Sequence, residues 1–453
     1  MGNLFTSLLN SANAVRVLDR QLAVLQNNVT NANTPGFARQ TQSVQAMAFD
    51  LASGLQGGVA AGPVLSSRSE YAEEAVRQQV SRHGYAGQRA NDLAALEPLF
   101  DLSADTGVAS SLNGLFQSFS KLSINPNDSI ARQNVIDSAR AVGESFSQVS
   151  TGLAAASDHA GQQITSTVKS INELTAQIRD LNVSRLRDFR STGDAGLDAQ
   201  MHTALEELSE YTDVVALKDS DGAINVYLGG QTPLVIGSHQ YTLTPEVTPG
   251  QAIVRDATGA DVTANVTSGR LAALVKERGT TLPSYLDDLN KLAAAVADQV
   301  NGQLKAGLDS SGNQPPVDLF QYDAATGSAA TLTVTAIQPA DIAAARKTAP
   351  GGNGNALDLA ALASSPLVDG FTLTQYFGNL ETRIGRDVST AKDDEKTQQS
   401  LVDQTRSMRA ELSSVSLDEE AAVLMQIQRQ YQATGKMLNV LNDLTDTLMS
   451  ILR

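Results

Sequence analysis

The chain has 453 residues, 42% hydrophobic but only 4% aromatic, with no Trp, no Cys and a formal net charge of −16. That length allows two to four domains with substantial cores, while the acidity excludes nucleic acid and anionic membrane surfaces as principal partners, since both would repel it. Without Cys there are no disulfides, thiolate metal sites or thiol nucleophiles, and no run approaches the roughly 18 apolar residues of a membrane span.

At the start, Leu4, Leu8, Ser11, Val15, Leu18, Leu22, Leu25 and Val29 recur at alternating spacings of four and three, the seam of a coiled coil. The first 20 residues lack a basic stretch followed by an unbroken apolar one, so no cleavable signal peptide is expected. At Asn31-Ala32-Asn33-Thr34-Pro35-Gly36, Pro35 pushes Thr34 out of the helical region and Gly36 permits a tight turn, which ends the helix. Residues 37–49 have no helical period, and the Gly-rich 53–62 reads as a loop or hairpin. Ser69 then opens a helix to about Leu96, stopped by Pro98.

Leu112, Leu115, Phe116, Phe119 and Leu122 predict a short amphipathic helix closed by Asn125-Pro126-Asn127. Long helical stretches follow through Val142, Phe146, Val149 and Leu153, then Ile171, Leu174, Ile178 and Leu181, up to a break at 191–196. Leu282, Leu286, Leu289, Ala293, Val296 and Val300 repeat the rhythm, as do Leu373, Phe377, Leu380, Ile384 and Val388. Between 214 and 267 the texture changes to short β-prone runs (214–217, 224–228, 234–236, 241–243, 253–255) separated by Asp221-Gly222, Gly229-Gly230, Pro249-Gly250 and Thr258-Gly259. A second interruption, 309–367, has one good strand at 332–337 and a Gly/Asn/Ala-rich stretch at 350–363. Leu424, Ile427, Tyr431, Thr434, Leu438, Leu441, Thr445, Leu448 and Leu452 close the chain with a second seam. Burial on one such stripe falls short of the entropy lost in ordering its helix, so each end needs partner helices.

The expected fold class is therefore mainly α with β insertions: long coiled-coil-like helices from both termini in an elongated multidomain subunit. Residues 1–45 would pair with 414–453 as an inner domain. Residues 46–212, 269–308 and 371–413 would form a helical rod, 213–268 an inserted β domain and 309–370 a mixed insertion.

Catalytic, cofactor and metal sites find no support. His83, His159, His202 and His239 show neither HExxH spacing nor a close pair, and solvated or interfacial roles fit them better. His202 and Glu206, at i,i+4, read as a surface pair. Asp219-Ser220-Asp221-Gly222 fails as a calcium loop because its Gly is fourth and its twelfth residue is Gly230, leaving a hairpin turn; Asp309-Ser310-Ser311-Gly312-Asn313 reads the same way.

The segment Asn27-Asn28-Val29-Thr30-Asn31-Ala32-Asn33-Thr34-Pro35-Gly36-Phe37-Ala38-Arg39-Gln40 resembles the N-terminal signature of bacterial flagellar rod, hook and hook-associated proteins. Asp418-Glu419-Glu420-Ala421-Ala422 and Gln428-Arg429-Gln430-Tyr431-Gln432-Ala433 resemble their C-terminal signature. Interior blocks at 112–153 (with Ala131-Arg132-Gln133), 269–301 and 353–362 are similar to the family of flagellar hook-associated protein 1. That resemblance implies a non-enzymatic component of the extracellular flagellum, exported unfolded by the type III apparatus. It further implies a homo-oligomeric ring on the distal end of the hook, with hook protein and a second junction protein (hook-associated protein 3) as neighbours and an export chaperone at the C-terminal helix. Under this reading Leu8, Val15, Leu18, Leu22, Leu25, Val29, Leu424, Ile427, Tyr431, Leu438, Leu441 and Leu448 are the assembly interface. Asn28, Asn31, Ala32, Asn33, Thr34, Pro35, Gly36 and Arg39 are the family signature, in which Asn28, Asn31 and Asn33 either simply cap the helix and shape the turn or, compatibly, set the register of an elbow between the inner helix and the next domain. A hook or distal rod subunit, or a cytosolic coiled-coil scaffold, are the rivals.

Overall fold

The computed structural model describes residues 2–50, 55–100, 107–187 and 194–451. Its helices are α1 (Gly2–Thr30), α2 (Glu70–Leu96), α3 (Val108–Ile124), α4 (Ser129–Arg187), α5 (Ala195–Tyr211), α6 (Gly269–Lys276), α7 (Leu282–Ala306), α8 (Ser328–Thr331), α9 (Gly354–Ala361), α10 (Leu373–Ser413) and α11 (Leu417–Ile451). Small antiparallel sheets interrupt them, so the expected mainly helical class with β insertions is what the chain adopts.

Local chemistry sets the helix starts. Ser69 caps α2 by accepting the Ala72 N–H at 3.3 Å, with Glu70 and Glu73 in the first turn where the helix dipole favours them. Asp194 caps α5 through the N–H groups of Gly196 and Leu197 at 2.7 and 3.2 Å. Thr372 and Gln375 form a reciprocal capping box on α10.

Two apolar cores share one spine. The first packs α3, α7, α9 and α10 against the front half of α4, with Phe119, Phe146, Leu289 and Phe377 inside. The second packs the rear half of α4 (Ile164, Ile171, Ile178) against α5, α6 and the β segments. Between the cores a π-helical turn, Glu277–Thr281, joins α6 to α7.

The β region is a four-stranded antiparallel meander (Val214–Lys218, Ile224–Leu228, Thr232–Ile236, His239–Gln240) followed by a separate hairpin, Thr244–Thr248 with Gln251–Arg255. Two details depart from the sequence reading. No strand forms at 241–243; Leu243 is instead buried and fastened to α4. Residues 244–248 do form a strand despite Pro245, because they pair on one side only, where a missing N–H is tolerated. Residues 350–363 also hold a helix, α9, whose Ala356 and Leu359 are buried in the first core. The strand expected at 332–337 shrinks to Thr333–Val334, paired with Phe320–Gln321. Residues 40–46 and 59–66 make a bulged hairpin.

A single device recurs where helix meets β segment. Asn28 donates through Nδ2 to the Gln40 carbonyl at 2.8 Å and accepts the Gln40 N–H through Oδ1 at 2.9 Å. Asn172 does the same to Leu243 (2.8 and 2.9 Å), Asn182 to Ile224 (2.8 and 2.9 Å) and Asn301 to Phe320 (2.9 and 2.9 Å). The primary amide carries the donor and acceptor of a peptide unit, so each asparagine reproduces the doubly bonded pair of an antiparallel ladder from the side of a helix.

Candidate assembly interface

α1 and α11 pack antiparallel: Asn28 near the end of α1 meets Glu420 at the start of α11, while Leu18 and Leu25 close on Ile427, backed by Val423 and Leu424. Part of the two seams is thus satisfied within one chain. Leu8, Val15 and Leu22 on α1, and Leu424, Leu438 and Leu441 on α11, are half-buried; Val29, Tyr431 and Leu448 stand 44%, 46% and 38% exposed.

A second stripe lies beside the expected one. Met437, Val440, Leu444 and Leu448 are all exposed. Their spacing of three, four and four is present in the sequence, overlapping the more regular seam at Leu448. Phe5 and Leu9 on α1 are exposed as well. Among the described residues no group of three or more His, Asp or Glu is placed to hold a metal ion.

At the turn after α1, the end of α1 is tied to the start of α11. Glu420, 2% exposed, receives on one oxygen both the Arg39 Nε at 2.7 Å and the Asn28 Nδ2 at 3.3 Å, while Glu419 adds a more open pairing to Arg39 Nη1 at 3.2 Å. The Arg39 backbone donates to the Ser413 carbonyl and accepts from the Ser67 N–H, each at 2.8 Å. The strand leaving α1, the link into α2 and the α10–α11 junction therefore cross at one point.

Asn31 closes the end of α1 through Nδ2 to the Asn27 carbonyl at 3.0 Å and accepts the Thr34 hydroxyl at 3.1 Å. Ala32 is half-buried, and Asn33, Thr34 and Pro35 face outward. Gly36 has φ of +73°, and a Cβ there would lie 2.5 Å from the Ala199 carbonyl oxygen, so the turn presses directly on α5.

Beneath the elbow lies a charged layer. Arg68, its side chain 5% exposed, bridges the Gly36 carbonyl (2.6 Å), Glu73 (2.5 Å) and Asp198 (2.7 Å). Arg185 reaches Asp198 at 2.8 Å, and Arg409 reaches Glu73 and Glu206 at 3.2 and 2.6 Å. Burial works against charge on Asp198 and Glu206, yet Arg68 and Arg185 beside the first, and Arg409 and Arg406 on the second, hold both carboxyls below their ordinary range.

His202 corrects the sequence reading. It is 4% exposed in this layer, not on the surface, and Glu206 on the same helix pairs with the two arginines of α10 instead of with it. Burial, then the charge of Arg68, push the His202 pKa down to about 3, so the imidazole is neutral. His83 is half-buried and His159 and His239 are exposed. Both Asp-Gly segments are turns: Gly222 N–H bonds the Asp219 carbonyl at 3.0 Å, and Asp309 Oδ1 accepts the N–H groups of Ser311 and Asn313 at 2.7 and 2.9 Å.

Comparison with known proteins gives a consistent result. The family model described as the flagellar hook-associated protein FlgK helical domain matches residues 93–320, just over half of the chain. The model described as the flagellar basal body rod FlgEFG protein C-terminal matches residues 407–451. The chain is 25% identical to flagellar hook-associated protein 1 of Bacillus subtilis (strain 168), covering 99% of both chains. It is 23% identical to the protein of the same name from Salmonella typhimurium, covering 98% of this chain and all of that one. A solved structure of the flagellar hook junction protein FlgK from Burkholderia pseudomallei shares the fold, with a TM-score of 0.67 at 17% identity over 76% of this chain and all of that one.

Proposed function

The chain belongs to the flagellar hook-associated protein FlgK family, whose members are structural components of the flagellum, and we propose that copies of it form a ring on the distal end of the hook that connects hook to filament. The observation that carries this reading is the exposed apolar face running through Met437, Val440, Leu444 and Leu448. Within one chain α11 is covered along part of its length by α1, and the uncovered face offers area that other copies can bury.

In this reading the two terminal helices, residues 1–45 and 414–453, build an inner tube. Leu8, Val15, Leu22 and Val29 pack there with Leu424, Tyr431, Leu438, Leu441 and Leu448 of the same and neighbouring copies. The helical segments 46–212, 269–308 and 371–413 surround the tube, with 213–268 and 309–370 outward. Hook protein contacts one side of the ring and a second junction protein the other. The subunit leaves the cell unfolded, escorted by a chaperone on the C-terminal helix. Apolar burial repeated around the ring supplies the energy, and no bond is made or broken.

Deleting the gene tests the position in the structure. Hooks lacking filaments, restored by the wild-type chain, are the expected outcome; loss of the hook itself would assign the chain to the rod or hook instead. Normal filaments in a Leu22→Asp, Leu438→Asp double mutant would refute packing of the terminal helices as the source of assembly energy.

A further inference from the structure

The two cores part at a waist. On α4 the first core ends at Leu153 and the second begins at Ala160. Small residues there, among them Gly152, Ala155 and Ala156, leave a cavity of about 300 Å³ that is closed from the other side by Asp92 of α2 and Glu277 of the π-helical turn. A single-turn π insertion costs helical geometry and recurs at functional positions.

Glu277 is 4% exposed and lines the cavity; the Thr281 hydroxyl serves its carboxyl, while Oε1 has no hydrogen-bond partner. Asp92 lines the same space, both oxygens held by the Gln88 Nε2 at 2.9 and 3.0 Å. Gln88 also donates to Gln163 at 2.7 Å, and the Gln163 amide lies 3.2 Å from His159 Nδ1 at the rim. Two carboxyls thus face an apolar wall across neutral amides. The guanidinium of Arg89, close by on α2, pairs with Asp394 at 3.8 Å. A buried acceptor with no donor costs stability unless something supplies one. The absence of a three-ligand set among the described residues speaks against a metal ion in that role. A cation with an alkyl arm satisfies both surfaces at once, its charge at the carboxyls and its methylenes along the alanines.

We propose that this cavity binds an alkylammonium group, with the ammonium donating to Glu277 and Asp92 and the alkyl arm lying against Ala155 and Ala156. A free amine and a lysine side chain from a neighbouring protein share this chemistry. Burial, with Asp92, raises the Glu277 pKa to about 7, so binding expels the Glu277 proton to the buffer and tightens as pH rises through neutrality. The charged and titratable groups facing Glu277 are Asp92 and Arg89 of α2, His159 of α4, Tyr285 of α7 and Asp387 of α10.

The test titrates n-butylammonium chloride into the full chain and follows amide resonances or heat at pH 6 and pH 8. Saturable binding, tighter at pH 8, is expected, with release of a proton read from two buffers of different ionisation enthalpy. Glu277→Gln should weaken it about tenfold or more, the loss of one charged partner. Ala155→Leu, at the exposed mouth, should block it while leaving the melting temperature unchanged. No saturable binding, equal binding of n-butanol, or unchanged binding in both variants would overturn the proposal. In assembled junctions, a zero-length carbodiimide crosslink from Glu277 to a neighbour's lysine assigns the cavity to that side chain; retention of butylammonium without a crosslink assigns it to free amines.

Discussion

Arg39 and Glu420 lie 381 positions apart and meet at 2.7 Å, on a carboxyl oxygen that Asn28 also reaches. The pair joins the two chain ends at the root of the α1–α11 hairpin. Removing Glu420 leaves the partly exposed Arg39 only its open pairing to Glu419 and takes an acceptor from the buried Asn28 amide, a loss of about 1–3 kcal/mol confined to this root. Glu420→Ala should therefore open this root without disturbing the two cores. Limited proteolysis should cut near residues 413–420 far faster than in the wild type, at an unchanged melting temperature. Equal cleavage rates would show that the pair holds nothing.

Leu25 and Leu448 belong to the same pair of seams but differ in cover, at 6% and 38% exposure. Truncating a buried leucine costs about 2–5 kcal/mol, whereas an exposed one stays within about 0.5 kcal/mol. Leu25→Ala should speed amide exchange along α1 in the free monomer. Leu448→Ser, combined with Val440→Ser, should leave exchange unaltered and abolish incorporation at the hook tip. A free monomer disturbed equally by both would mean that the α11 face is covered within one chain.

Gly36→Ala should detach the elbow from α5. Its φ of +73° and the 2.5 Å approach to the Ala199 oxygen leave no room for a methyl group. Strain at such a position costs about 1–3 kcal/mol. Loss of the Arg68 Nη2 contact to the Gly36 carbonyl, seen as a shift of the Arg68 Nη2 resonance, would accompany it; a variant as stable as the wild type would contradict the geometry.

Two buried groups oppose each other in their pH dependence. His202 is held neutral with a pKa near 3 against about 6.5 when unfolded, so the unfolded chain binds more protons and stability falls as pH drops from 6.5. Glu277 has its pKa raised to about 7, so the folded chain binds more protons and stability falls as pH rises from about 4.5 toward 7. From pH 5 to 6.5 the slopes have opposite signs, each about 2 kcal/mol over that span. Urea unfolding should show a shallow profile for the wild type, a rise with pH in Glu277→Gln and a fall with pH in His202→Gln. Parallel profiles in all three would refute the assignment.

The helical frame was legible because its apolar periods are long and its boundaries carry caps and breakers, Ser69 and Asn125-Pro126-Asn127 among them. What stayed hidden depends on contacts distant in sequence. α9 forms in a Gly/Asn/Ala-rich stretch because Ala356 and Leu359 find the first core. His202 looked like half of a local pair until Arg68, 134 positions earlier, was brought above it by the elbow. Arg132 stood out in sequence only as part of a similar block. In the fold it is buried and donates to the carbonyls of Pro126, Ala340 and Ile342 at 2.9, 3.1 and 2.5 Å, fastening the second insertion to α4. The signature residues were found by resemblance. Their work, from the Asn28 amide to the Gly36 turn, became visible only when Gln40, Ser413 and Glu420 were placed around them.

The four asparagine clamps grip peptide groups and ignore side chains. Gln40, Ile224, Leu243 and Phe320 supply only their N–H and carbonyl to Asn28, Asn182, Asn172 and Asn301. As far as these anchors are concerned, any residue except proline can occupy the gripped positions. Lineages are thus free to redecorate the β segments while the fastening that sets their placement persists.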